Sequence, residues 1–299
     1  MMYPLRNLVI PCSLAGLIAY QSLTVLPIIL GALVDYRGFT LANVGYVGSV
    51  EILGMALAAA TSAAFINKVP RNRLAFVAAI ALGLTQISSA FTLAPTLFFA
   101  ERFIAGISAG CIAGVLAATI SLARVPERLT AFIYLIDALL ASVLYLVLPA
   151  IIARYQLAGA YALLGSVTVL ISPVFLLLPA RGPVTGTPSP ALRRDAGRVA
   201  IFAIILSAAA AAHWTFTERM ALQVGLDMTQ VGQMFAASLV IGIIAAALAA
   251  TAGDRFGSVR PIFVAWSTVL LLGFALPHLD TPVAFIISFC LIRYFTHIS

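Results

Sequence analysis

The chain has 299 residues, of which 63% are hydrophobic and only 9% are charged, and it carries a net charge of +7. A soluble domain of this size needs more polar surface than 17 basic and 10 acidic side chains provide, so soluble enzymes, secreted disulfide scaffolds and disordered chains are excluded. The basic residues form no stripe interleaved with aromatics, which argues against a nucleic-acid partner. The remaining class is a polytopic membrane protein.

Ten apolar segments are long enough, or nearly so, to cross a bilayer, which takes about 20 residues. We number them as spans 1 to 10: Leu8–Val34, Val44–Ile66, Leu74–Phe91, Leu97–Leu122, Leu129–Ile152, Ala160–Pro179, Val199–Leu222, Val231–Ala252, Pro261–Leu276 and Val283–Ser299. None of them alternates with period two, so the sequence predicts helices rather than a transmembrane barrel, and hence an all-α polytopic fold.

The basic residues predict the orientation of these spans. If the N-terminus is cytoplasmic, the cytoplasmic segments hold twelve Lys and Arg residues and the outer segments hold three. This is a strong positive-inside signal. One cytoplasmic segment, 181–198 (RGPVTGTPSPALRRDAGR), is rich in Gly, Pro, Ser and Thr and is predicted to be a flexible linker. It would join a six-helix bundle (1–180) to an incomplete four-helix bundle (199–299).

An internal repeat connects the two predicted bundles. A shift of 187 positions aligns GFTLANVG (Gly38–Gly45) with GLDMTQVG (Gly225–Gly232). The same shift pairs three polar loop residues with three others, namely Asn67 with Asp254, Lys68 with Arg255 and Arg73 with Arg260. Generic apolar composition is the alternative, but it would not match polar loop residues at one register. A shorter echo pairs Glu101–Ser108 with Ile292–Ser299. Spans 2 and 3 therefore correspond to spans 8 and 9.

The loop between spans 8 and 9, GDRFGSVR, resembles the cytoplasmic loop signature of the major facilitator superfamily. The matching residues are Asp254, Arg255, Gly257 and Arg260, and the first-half copy NKVPRNR keeps Lys68 and Arg73 but lacks the acid and the glycine. Span 4, with Arg102, Gly106 and Gly110, is similar to the family's Arg-and-glycine pattern. The sequence PER at positions 126–128 is similar to the family's next cytoplasmic loop. Span 5 lacks the glycine-proline motif of the family's antiporters.

This resemblance implies two six-helix bundles that expose a central site alternately to each side. Only ten of twelve helices are present, so we expect a chain truncated after span 10. The matching loop residues would act as a cytoplasmic gate: Asp254, Arg255, Gly257 and Arg260 in the second half, and Lys68 and Arg73 in the first. The alternative is that the arginines only set the topology of the spans.

Several polar residues within spans are candidates for a substrate or ion pathway. A charge at mid-membrane costs about 2.5–3.5 kcal/mol, so such residues should pair or face a wet cavity. The candidates are Gln21, Glu51, Arg102, Asp137, Glu218 and Arg293. Arg102 and Arg293 would bind an anionic group of the substrate. Glu51 or Asp137 would carry a coupling proton. Glu218 would lie at the mouth of the pathway or in a gate.

Each candidate also has a structural interpretation. Glu51, Asp137 and Gln21 would serve as hydrogen-bond anchors between helices. Arg102 is predicted to lie shallow enough to snorkel outward. Alternatively, Glu101 is a boundary residue at the outer surface and only Arg102 points inward. Gly106, Gly110 and Gly114 recur every four residues and predict close approach of another helix to span 4.

These patterns favour a secondary active transporter for a small solute in the inner membrane of a bacterium, proton- or ion-coupled and monomeric. The alternatives are a truncated, inactive or regulatory remnant, or a membrane-embedded enzyme. The sequence contains no HExxH and no phosphate-binding loop, so an enzyme is not expected. The three cysteines lie far apart in apolar segments, and no metal or cofactor is expected.

Overall fold

The computed structural model describes residues 3–66, 68–182, 214–252 and 259–298. Within them the chain is helical, and the only β feature is a single bridge between Tyr3 and Ala123. The helices are α1 (Leu5–Thr24), α2 (Leu26–Arg37), α3 (Leu41–Phe65), α4 (Arg71–Phe91), α5 (Pro95–Ile120), α6 (Pro126–Ile171), α7 (214–223), α8 (Met228–Ala252), α9 (Val259–Ala275) and α10 (Pro282–Ile298). Short 3-10 turns, Ser172–Leu177 and Leu276–His278, follow α6 and α9.

The helices have the length and surface of membrane spans. Six of the described helices are long and apolar enough to cross a bilayer, and the shorter stretches Val264–His278 and Pro282–Thr296 are also apolar. Large apolar side chains such as Leu170, Leu271 and Phe274 are more than 70% exposed, as is expected where a helix meets lipid rather than water. The predicted fold class, an all-α polytopic membrane protein, is confirmed.

Three spans differ in detail from the sequence prediction. Span 1 is broken into α1 and α2 at Val25, whose backbone (φ −88°, ψ 5°) leaves the helical region two residues before Pro27. Spans 5 and 6 are two consecutive helices within α6 that meet at one residue with a positive φ, Gln156 (φ 55°, ψ −157°). No separate loop divides them.

The glycine face of α5 packs against α3, as predicted. The Cα of Gly106 lies against the backbone carbonyl of Glu51, and Gly110 lies against that of Met55. A methyl group at either position would collide with this backbone, so the two helices approach as closely as only glycine allows. The contact sets the depth of Glu51 relative to α5.

The repeat is visible in local conformation. Gly38 and Gly225, which are 187 residues apart, both take a positive φ (66° and 92°), and each precedes a helix. The next helix begins at an equivalent cap in both copies: Thr40 Oγ1 accepts a hydrogen bond from Asn43 N, and Asp227 Oδ1 accepts one from Gln230 N. The positive φ explains why both copies carry glycine at that position.

Exposed basic side chains gather at one end of the molecule. The end where α3 meets α4, and α5 meets α6, carries Lys68, Arg73, Arg124 and Arg128, all exposed; we call it the basic end. At the opposite end Arg37 donates to the carbonyls of Ser89, Ala90 and Thr92 and so closes the carboxyl terminus of α4.

Candidate functional site

Arg102 and Glu51 form a buried ion pair between α5 and α3. Arg102 Nη1 lies 3.7 Å from Glu51 Oε2, and the side chains are 0% and 6% exposed. The guanidinium stacks over the ring of Tyr161 on α6, 4.5 Å from its centroid. The alternative in which Arg102 snorkels outward is therefore wrong, and the alternative in which it points inward is confirmed. A carboxylate and an aromatic face stabilise its charge in the interior.

Glu101 is connected to Arg102 through the hydroxyl of Ser89. Arg102 Nη2 donates to Ser89 Oγ at 2.7 Å, and Ser89 Oγ donates to Glu101 Oε2 at 2.8 Å. Glu101 also accepts hydrogen bonds from the hydroxyls of Ser88 (2.6 Å) and Thr92 (2.7 Å). It is only 6% exposed, so its interpretation as a surface boundary residue is wrong. These hydroxyls replace the water that a surface carboxylate would bind.

A small cavity borders the ion pair, and part of its wall is the break in span 1. Its lining consists of Ser22, Val25, Leu26, Ile29, Val47, Glu51, Arg102, Tyr161 and Leu164. Among the described residues, Glu51 Oε1 and Arg102 Nε find no hydrogen-bond partner. Arg102 Nη1 also has no hydrogen-bond partner among them, so the site offers one free acceptor and two free donors. Leaving such buried groups unsatisfied costs roughly 1–3 kcal/mol each.

Two glutamines extend the polar interior toward α4 and α6. Gln21 Nε2 donates to Thr168 Oγ1 at 2.6 Å, and Gln86 Nε2 donates to Ser22 Oγ at 3.2 Å. Gln21 was a predicted candidate, and the contact fits its interpretation as an anchor between helices. Gln86 was missed, although Gln86 and Ser89 lie three residues apart on one face of α4, a spacing that the sequence displays.

A second cluster joins α2 to α7 at the end opposite the basic end. Glu218 is fully buried, with its carboxylate against Gly31, where a larger residue would collide with it. Arg219 lies 2.8 Å from Asp35 Oδ1 and 3.3 Å from Glu218 Oε2, and it also donates to the carbonyl of Gly31. Asp35 and Arg219 were not among the predicted site residues, because their pairing spans 184 positions.

Asp137 and Arg293 do not line the cavity beside Glu51. The half-buried Asp137 carboxylate lies against Gly16 on α1, and its Oδ1 has no hydrogen-bond partner among the described residues. Arg293 lies over the ring of Trp214, 4.9 Å from its centroid. The predicted candidates therefore occupy separate positions: Glu51 with Arg102, Asp137 with α1, Glu218 with α2, and Arg293 with α7.

The predicted cytoplasmic gate is described only in its first copy. Lys68 and Arg73 are exposed at the basic end. Asp254, Arg255, Gly257, the side chain of Arg260 and positions 183–198 of the linker lie outside the described residues. Arg71 was not among the predicted site residues; it is fully buried and donates to the carbonyls of Ala118 (3.4 Å) and Gly182.

The fold and the buried charges define a polytopic helical membrane protein with a polar interior. The family model of the Major Facilitator Superfamily matches residues 12–298, and the chain belongs to this family. No curated protein matches it in sequence.

Similar solved structures are those of transporters. A D-xylose-proton symporter has a TM-score of 0.71 and 16% identity, with 98% of this chain and 80% of that chain covered. The xylose transporter XylE from E. coli, in an inward open conformation, has a TM-score of 0.65 and 16% identity (99% and 80% covered). The nucleoside transporter NupG has a TM-score of 0.74 and 15% identity (98% and 79% covered). At such identities the likeness concerns the fold alone.

Proposed function

We propose that the protein is a secondary active transporter that moves a small solute across the inner membrane of a bacterium by alternating access. The bundles would be residues 1–180 and 199–299, joined by a cytoplasmic linker at 181–198. Membership of the superfamily supports this proposal. The observation that carries it is the buried Glu51–Arg102 pair, which borders a cavity at a broken span.

The geometry of the pair leaves polar atoms free for a ligand, which supports its role as a binding site. At 3.7 Å it is too long for a hydrogen bond, and Glu51 Oε1 and Arg102 Nε are unsatisfied. A proton on Glu51, or an anionic or hydroxylated group at Arg102, would relieve this cost. Such a ligand favours the conformation in which it binds better, which is the requirement for coupling binding to a conformational change.

Two further carboxylates would serve the same cycle. Asp137 offers an unpartnered Oδ1 beside α1 and is the second candidate for the coupling proton. Glu218, with Arg219 and Asp35, would close the end opposite the basic end by tying α2 to α7. With the basic end and the N-terminus in the cytoplasm, this closed end faces outward. The loop residues from Asp254 to Arg260, with Lys68 and Arg73, would gate the cytoplasmic end.

The substrate would be a small polar solute that bridges donors and acceptors. The similar folds include a D-xylose-proton symporter and a nucleoside transporter, so sugars and nucleosides are the first solutes to test. The cavity also presents an arginine, so organic acids come next. The protein would act as a monomer in the bilayer without a bound cofactor.

The test is solute uptake by the purified protein in proteoliposomes under an imposed pH gradient, across sugars, nucleosides, organic acids, amino acids and drugs. We expect Glu51→Gln and Asp137→Asn to abolish or strongly reduce the dependence of uptake on the gradient. The matched controls are Glu127→Gln and Asp280→Asn, whose carboxylates are exposed. Unchanged proton-driven uptake in both buried variants would remove them as proton carriers. Absence of uptake for every solute would favour the inactive or regulatory remnant.

A further inference from the structure

The break in span 1 leaves a backbone carbonyl without its helical partner. Pro27 has no N–H, so the carbonyl of Leu23, four residues earlier, cannot accept the usual intrahelical hydrogen bond. In its place Trp214 Nε1 on α7 donates to Leu23 O at 3.0 Å. The next carbonyl, that of Thr24, accepts a hydrogen bond from the hydroxyl of Tyr145. Two side chains from other helices therefore bind the backbone at the break.

The same break forms part of the wall of the cavity beside the Glu51–Arg102 pair, which we call the charged cavity. Val25, the residue with non-helical backbone, is 0% exposed and Leu26 is 3% exposed, and both line the cavity with Glu51 and Arg102. Leu23 and Thr24 directly precede these wall residues. A change in how the two carbonyls are bound would therefore move part of the wall.

The side chains that bind the break belong to an aromatic cluster built mainly by the second bundle. Trp214 meets Phe235 of α8 edge to face (5.2 Å between centroids), and Phe235 meets Phe289 of α10 in the same way (5.4 Å). Tyr145 stacks on Phe235 at 4.9 Å. The position of the break is thus tied to α7, α8 and α10, in addition to its own bundle.

We propose that Trp214 and Tyr145 are positioning residues for the charged cavity: by holding the carbonyls of Leu23 and Thr24, they couple the wall of the cavity to the packing of the second bundle. The proposal rests on the proposed function in taking this cavity as the transport site. Coupling of this kind is reciprocal, so a ligand that favours one wall position also favours one arrangement of the aromatic cluster.

The test measures opening of the cavity without any solute. Val47 lines the cavity and is 1% exposed, so the rate at which a small neutral methanethiosulfonate modifies Val47→Cys reports access to the site. The three native cysteines, Cys12, Cys111 and Cys290, are replaced by alanine. The protein is the full chain in lipid nanodiscs. Because the readout needs no transport, it separates failure of this inference from failure of the proposed function.

Three variants weaken the contacts at the break while keeping most of the packing. Trp214→Phe and Tyr145→Phe remove a donor but retain a ring, and Pro27→Ala supplies an N–H that competes with Trp214 for Leu23 O. Losing a neutral hydrogen bond shifts an equilibrium by roughly fivefold, so we expect each variant to raise the rate by about that factor. The matched control is Trp266→Phe, the other tryptophan, which should leave the rate unchanged.

The decisive comparison is the double variant Trp214→Phe with Pro27→Ala. Because both changes remove the same hydrogen bond, the double variant should react no faster than either single variant. Rates that multiply, to roughly 25-fold, would show independent effects and overturn the proposal. So would rates in Trp214→Phe and Tyr145→Phe equal to that of Trp266→Phe. If Trp214→Phe or Pro27→Ala elutes as an aggregate, the remaining single variants are compared with Trp266→Phe: a rate about fivefold higher supports the proposal, and an equal rate overturns it.

Discussion

Breaking the Glu51–Arg102 pair from one side should destabilise the protein strongly. In Arg102→Met a carboxylate that is only 6% exposed loses its counter-ion at 3.7 Å. With an effective dielectric constant of about 20, two unit charges at that distance attract by roughly 4–5 kcal/mol. Leaving one charge of a buried pair uncompensated costs about 3–5 kcal/mol in measured cases. The two estimates agree, and they predict a decrease in unfolding temperature of roughly 5–15 °C.

The assay is thermal unfolding of the purified protein in detergent, followed by a thiol-reactive dye or by loss of the monodisperse elution peak. The double variant Arg102→Met with Glu51→Gln should recover more than half of the lost stability, because it removes the uncompensated charge as well. Arg128→Met, at an exposed position, controls for the loss of an arginine and should change stability little. If Arg102→Met is no less stable than Arg128→Met, or if the double variant is as unstable as the single one, the pair is not what stabilises Arg102 in the interior.

Two further predictions concern glycines and use the same thermal assay. Gly106→Ala places a methyl group against the backbone of Glu51, so it should lower the free energy of unfolding by about 1–3 kcal/mol. The control Gly45→Ala, which has open space around it, should be neutral or slightly stabilising. Equal effects of the two variants would contradict the close α3–α5 contact. Gly38→Ala and Gly225→Ala should each cost roughly 1–2 kcal/mol because both positions have positive φ; tolerance of either substitution would show that the left-handed turn is not needed there.

Much of the fold was predictable because it depends on local patterns. Hydropathy over windows of about 20 residues located the spans, and glycine spacing on span 4 identified the face that packs closely. The repeat was readable because the same short turn, with glycine in the left-handed region and a capping side chain after it, occurs at Gly38–Thr40 and Gly225–Asp227. Each of these signals lies within one segment and needs no knowledge of which helices are neighbours.

The site was predictable only as a set of unusual residues. The cost of a charge in a membrane singled out Glu51, Arg102 and Asp137, but it could not say which of them pair. Arg102 has Glu101 beside it in sequence, yet its guanidinium contacts Glu51, 51 positions away. Gln86 and Ser22 were missed because a neutral polar residue in an apolar span is common, and only its contacts show what it does.

The amino-acid sequence alone predicted a helical membrane protein with an internal repeat. Composition, hydrophobic periodicity and the distribution of basic residues predicted the spans, and the match after a shift of 187 positions indicated the repeat. These signals are local, so they can be read without knowing which helices are neighbours. The tertiary structure decided where span 1 breaks and which residue binds the free carbonyl: Trp214 reaches Leu23 across 191 positions. It also decided that Arg102 is buried rather than exposed at the surface. Such choices depend on the rotation and depth of each helix against its neighbours, and those are set only when the helices pack together.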